Sequence, residues 1–184
     1  YFGSDGDSYV RHTGSNFDII NNTGDLKIEV GADDKDIIFR GDDQSGGITT
    51  YFRVDGSTGY VRFEDNRRIA VGSGDDLQIK HDGTDSDISN YTGDLYIQNH
   101  TDDKDIIFKC DDGSGGNTAY ITLDGSRGFT TAQKNIRMGD SVELELGTDG
   151  DGHIKHTGSA MEIYNTTGDL TIKQDQDDGD IIFQ

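Results

Sequence analysis

Proline and tryptophan are absent from this sequence, and cysteine occurs once, at Cys110. Without proline no position is barred from donating to a backbone ladder, which suits long, uninterrupted β-structure. A single thiol excludes any disulfide within the chain, so stapling must come from elsewhere. Positive charge is scarce: 16 Lys and Arg stand against 36 Asp and Glu, for a formal charge of −20. Such a chain repels phosphate backbones and anionic lipid, which removes nucleic acid and membrane surfaces as favoured partners and makes cations the natural counterpart. No apolar run approaches the roughly 20 residues of a membrane helix, so no membrane insertion is expected. No signal sequence opens the chain, which starts mid-phrase, so further sequence is expected upstream. Large apolar residues are also few. Leu, Ile, Val and Phe make up 40 of 184 residues, about 22%, just above the level at which disorder becomes the default expectation. The core must be thin.

What is present is strand and turn material. Ile numbers 19 against 7 Leu, and 26 glycines punctuate the chain. This bias favours pleated strands with tight turns, and almost no helix is expected.

The dominant signal is repetition, which decides an architecture before any local pattern does. "DDKDIIFRGDDQSGG" (Asp33–Gly47) returns as "DDKDIIFKCDDGSGG" (Asp102–Gly116), with Gly41 in the place of Cys110. His12 and His81 are 69 apart, as are Gly24 and Gly93, Asp36 and Asp105, and Asp55 and Asp124. A third copy follows at 75: His81 meets His156, Gly93 meets Gly168, and "DIIF" at Asp105–Phe108 meets "DIIF" at Asp180–Phe183. The six extra residues fall between Asp124 and His156, around "GDSVELELGTDGDG". The chain is therefore expected to be one array, 1–184, with approximate copies 1–70, 71–145 and 146–184, the last truncated.

Within a period, short apolar clusters alternate with Gly, Asp, Asn, Ser and Thr, the pattern of strands of four to six residues. "DLKIEV" and "DLQIKH" alternate, placing Leu26, Ile28 and Val30, or Leu77 and Ile79, on one pleat face. "DIIF" does not: Ile37 and Phe39 share one face and Ile38 takes the other, as expected of a strand covered on both sides. So few apolar residues cannot supply that second cover alone. Another chain, or the next turn of a solenoid, is expected to provide it. Ile37, Ile38 and Phe39, with Ile106, Ile107 and Phe108, and Ile181, Ile182 and Phe183, are the expected packed spine. The turns "NNTGD", "NYTGD" and "NTTGD" place Gly24, Gly93 and Gly168 where a positive φ is needed. Each turn is also an N-glycosylation sequon, but turn chemistry alone accounts for the residues.

"GSGDDLQIKHDGTDSDISNYTGDLYIQN" (Gly72–Asn99) followed by "DDKDIIFKCDDGSGGNTAYITLDGS" (Asp102–Ser126) resembles the repeats of tail-fibre proteins of marine bacteriophages, cyanophages among them. The likeness extends over all three copies through "VRH" or "IKH", "TGDL" and "DIIF", although the unequal periods depart from strict equivalence. The resemblance implies a homotrimeric, β-rich fibre that projects from the virion, outside the cell. Its partners would be its own copies, other virion fibre or baseplate proteins, and a host-surface receptor reached through another region.

His12, His81 and His156 occupy equivalent places, and around a threefold axis three imidazoles would converge at each level, able to hold a metal or an anion. The competing expectation is a strand-end histidine bonded to a turn. His153 and His156 form an H-x-x-H pair, but on a strand they face opposite ways. "GADDKD", "HTDDKD" and "GTDGDG" offer oxygens to Ca²⁺. No EF-hand loop or tandem calcium nonapeptide accompanies them, so a diffuse cation atmosphere is expected and no cofactor. Paired carboxylates are too common here to mark catalysis. The two interruptions of the repeat, Ser141–Gly152 and Cys110, show no nucleophile with a base beside it, and "DGSGG" (Asp112–Gly116) lacks the Lys of a phosphate loop.

The sequence is thus expected to form an all-β, elongated, repetitive fibre, a trimeric β-helix or solenoid-like array. Its expected role is non-enzymatic: a shaft segment that spaces a virion from a receptor-binding tip. The alternatives are a β-solenoid segment of a bacterial surface adhesin or extracellular filament, and a polysaccharide-degrading tailspike.

Overall fold

The computed structural model describes residues 7–183. Regular structure among them is entirely antiparallel β, with no helix. Gly at each reversal, joined by Asp, Asn, Ser or Thr, and Ile, Val, Phe and Thr in the strands between account for this, since no segment carries a helical apolar stripe. The chain divides into two compact units, one ending at Tyr96 and one beginning at Ile97.

In the first unit β1 (Ser8–His12) pairs with β2 (Phe17–Asn21). A meander follows of β3 (Ile37–Asp42), β4 (Ile48–Asp55) and β5 (Tyr60–Phe63), then one of β6 (Arg68–Val71), β7 (Leu77–His81) and β8 (Ser86–Asn90). The second unit repeats both types. β9 (Ile106–Asp111), β10 (Asn117–Asp124) and β11 (Phe129–Ala132) form one meander, and β12 (Glu143–Leu146), β13 (Gly152–His156) and β14 (Met161–Asn165) form the other. These sheets remain separate, and among the described residues none closes into a barrel or coils into a solenoid.

The repeat is reproduced down to its irregularities. Phe39 faces Phe52 and Arg40 faces Thr50, so the ladder skips Tyr51. Sixty-nine residues later Phe108 faces Ile121 and Lys109 faces Ala119, so the ladder skips Tyr120. Each skipped tyrosine donates its hydroxyl to the carbonyl of the residue ending the neighbouring strand, Asp42 at 2.7 Å or Asp111 at 2.8 Å. Such bulges bend a strand at a defined place, and this one is a built feature of the period.

Three expectations need correction. The six extra residues do not lie in Ser141–Gly152. β11 follows β5 by 69 and β12 follows β6 by 75. Arg67 N–H bonds the Glu64 carbonyl at 3.0 Å just as Val142 N–H bonds that of Gly139 at 3.1 Å. Phe63 thus matches Ala132 and Glu64 matches Gly139, which confines the insertion to "QKNIRM", residues 133–138. Second, "DLKIEV" and its counterparts lie in no sheet: residues 25–30, 94–99 and 169–174 have alternating sequence but no ladder partner among the described residues. Third, the "DIIF" of Ile181–Phe183 is not a strand. β3 and β9 are strands because β4 and β10 pair with them, whereas Ile181–Phe183 has no ladder partner among the described residues.

No apolar side chain among the described residues is buried; only Asp55 and Thr122 are. The chain exposes 15258 Å². Even two separate globules of half its 20.1 kDa mass would expose only about 10,500 Å² between them.

Candidate assembly surface

Register places equivalent apolar residues side by side. Val10 lies opposite Ile19, Ile69 beside Ile79 and Ile88, and Leu144 beside Ile154 and Ile163. Most members of these rows are exposed. Two of them line open grooves: about 390 Å³ along Phe63, Ile69, Ile79 and Ile88, and about 340 Å³ along Ile136, Met138, Leu144, Ile154 and Met161. The second groove takes Ile136 and Met138 from the insertion, so the one break in the period extends an apolar face.

In the other meander Ile37, Val54 and Val61 form one row, and Phe39, Phe52 and Phe63 the next. The rings of Phe39 and Phe52 stack at 4.4 Å and those of Phe52 and Phe63 at 5.5 Å, a favourable cross-strand arrangement. Ile106, Leu123 and Thr130 repeat the first row; Phe108, Ile121 and Ala132 replace the second without the aromatic ladder.

The spine residues are not packed inside the single chain. Ile37 and Ile106 are half-buried, whereas Ile38, Phe39, Ile107 and Phe108 are exposed, Ile107 at 47%. Ile38 and Ile107 occupy the opposite face from their neighbours, beside Arg53 and Thr122 respectively. Ile181, Ile182 and Phe183 are exposed outside any sheet.

The acids of the repeated phrase have local tasks. Asp36 accepts the N–H of Gly56 and Asp105 that of Gly125, both at 3.0 Å. Asp43 accepts the Ser45 hydroxyl and the N–H groups of Ser45 and Gly47; Asp112 does the same with Ser114 and Gly116. These serine hydroxyls and turn amides hold both carboxyls below the usual range. Asp55, only 5% exposed, is held well below it by the Ser57 hydroxyl, the Thr58 amide and Arg53, which outweigh its desolvation. Lone pairs directed at backbone amides serve the turns first, so the calcium expectation gains no preformed cage from this geometry.

His12, His81 and His156 end β1, β7 and β13 and are exposed. His12 Nδ1 accepts the Gly14 N–H at 3.1 Å, and His156 Nδ1 is 3.1 Å from the Gly158 N–H and 2.9 Å from Asp140 Oδ1. His81 Nδ1 meets the Ser86 hydroxyl at 3.1 Å. Within one chain they are turn-bonding residues that the structure does not bring together. Asn21 and Asn90 brace the turns before Gly24 and Gly93 through carbonyl contacts of 2.7–3.1 Å, and Asn165 bonds the Thr167 carbonyl. Gly24, Gly93 and Gly168 have φ of 70°, 71° and 72°.

One polar cluster is formed by residues that no sequence motif marks. Glu143, Glu145 and His153 bring ligand-type atoms within 4.8 Å of one another. Glu143 also bonds Lys155 Nζ at 2.7 Å and the Tyr164 hydroxyl at 3.1 Å, and the Tyr164 ring stacks on His153 at 4.5 Å. His153 Nδ1 sits 2.6 Å from Glu143 Oε2, inside hydrogen-bond range although poorly aligned. Lys155, helped by Tyr164 and His153, holds the Glu143 carboxyl low, and Glu143 raises Lys155 in return. A cation here would compete with a resident ammonium, so the set works as an ion-paired network. The signal for it was a comparison at offset 75: Arg68 becomes Glu143 and Gln78 becomes His153, while Lys80 persists as Lys155.

No family model, no curated protein and no solved structure matches the chain.

Proposed function

We propose that this chain is a structural segment of a self-associating β-fibre, most closely the shaft of a phage tail fibre, assembled as a homotrimer that spaces a virion from its receptor-binding tip. One observation carries this: every row of apolar side chains among the described residues is left open to solvent. Burial of apolar area at about 25 cal/mol per Å² is the main drive for folding and association, and here that drive is unspent within one chain. Identical modules at recurrent spacing stack by the same contact each time, as repeat proteins do. The phrases "TGDL" and "DIIF" support the phage assignment through their resemblance to marine phage fibres. The high negative charge suits a shaft standing in salt water, where screening shortens repulsion between copies.

The test is mass in solution. Sedimentation equilibrium should give three times 20.1 kDa, or about 60 kDa, with a β-type circular dichroism spectrum. A well-folded monomer of 20.1 kDa would overturn the proposal.

A further inference from the structure

Residues 25–30, 94–99 and 169–174 read "DLKIEV", "DLYIQN" and "DLTIKQ". Each has the apolar–polar alternation of a strand. Among the described residues none is in a sheet, and their amides and carbonyls form no backbone–backbone hydrogen bond. Their apolar members stand open: Leu26 at 56%, Ile28 at 61%, Leu170 at 54% and Ile172 at 63%. Alternating segments with free donors and acceptors are templates for an added strand.

We infer that these three arms pair their backbones with a second copy of this chain, forming sheets that exist only between chains. The inference rests on the self-associating fibre proposed above and names where its hydrogen-bonded seam lies. Spacing identifies the occupant. From Leu26 to Leu95 is 69 residues, and from Leu95 to Leu170 is 75. A partner engaging all three arms must present cognate edges at those same unequal intervals, and another copy does so by identity. Area agrees with this. The chain exposes 15258 Å², an excess of about 4,700 Å² over two globules of half its mass, ample for the roughly 1,000–2,500 Å² that each partner contributes to an obligate interface. Pairing the arms covers side chains and satisfies the amides together, which covering the side chains alone does not.

The experiment uses the full chain at concentrations where sedimentation reports an oligomer. Hydrogen–deuterium exchange should show amides of 25–30, 94–99 and 169–174 protected at least about 100-fold over those of the turn residues 73–74. The triple variant Glu29→Pro, Gln98→Pro, Lys173→Pro removes one donor per arm and leaves the apolar face untouched. It should shift the mass to 20.1 kDa, while Glu29→Ala, Gln98→Ala, Lys173→Ala keeps the oligomer. An oligomer whose arms exchange as fast as the turn, and which the proline variant leaves intact, overturns this inference alone. A wild-type monomer overturns it together with the fibre proposal.

Discussion

The backbone carbonyl of Lys35 crosses over Gly56 so closely that a Cβ there would stand 2.2 Å from the oxygen. Lys104 crosses Gly125 in the same way, at 2.4 Å. The aspartate after each lysine accepts the glycine's N–H, so "KD" and "DG" form a clasp between the start of β3 or β9 and the end of β4 or β10. Part of the acidic phrase recurs because this clasp needs a carboxylate on one side and no side chain on the other.

Gly56→Ala and Gly125→Ala should each lower stability by about 1–3 kcal/mol, the usual cost of forcing extra volume against fixed backbone. Gly31→Ala, where a Cβ meets nothing within 4 Å, is the control. Melting curves of the three variants decide it, and equal melting temperatures would remove the clasp.

Ile107→Asp places a carboxylate in the second "DIIF". In one chain the site is half open and the charge stays hydrated; in an assembly that covers it, the charge is buried without a partner. The expected result is loss of the oligomer with β-type circular dichroism retained. An unchanged mass and melting temperature would show that this face stays uncovered.

Acid should weaken the fold through Asp55. Its folded pKa lies below the unfolded value of about 3.9, because Ser57, Thr58 and Arg53 bond the charged form. The stabilisation is therefore complete above that unfolded value and is lost as pH falls through the lower, folded one. Wild type should melt above Asp55→Asn at pH 6, and the gap should narrow towards pH 2. A gap that stays constant with pH would assign the loss to shape and not to charge.

Salt should strengthen association. Copies carrying −20 each repel, and going from 0.01 M to 0.15 M salt shortens the screening length from about 30 Å to about 8 Å. Sedimentation at both strengths should show the oligomer favoured at the higher one. Dissociation on adding salt would mean that ion pairs, and not apolar rows, hold the copies together.

Lys155→Met should destabilise the β12–β14 meander more than Lys155→Met combined with Glu143→Gln, because the single change leaves Glu143 beside Glu145 without its ammonium. Chemical denaturation of both variants gives the order. The reverse order would make Lys155 dispensable to the network.

Residue types dictated what is local in this protein. Gly24 with its preceding Asn, the alternation of Leu77 and Ile79, and the opposite facing of Ile37 and Ile38 depend only on backbone preferences and the two-residue pleat, so they were legible from the string, as was the all-β class. Pairing is not local. "DLKIEV" alternates as well as "DLQIKH", yet only the second finds neighbours, β6 and β8, within reach. The skipped Tyr51, the crossing of Lys35 over Gly56, and the meeting of Glu143 with His153 and Tyr164 each need segments brought together by the fold. A sequence specifies which backbone would accept a partner; where that partner lies is decided by chain geometry, since a hydrogen bond or a steric contact acts only at touching distance.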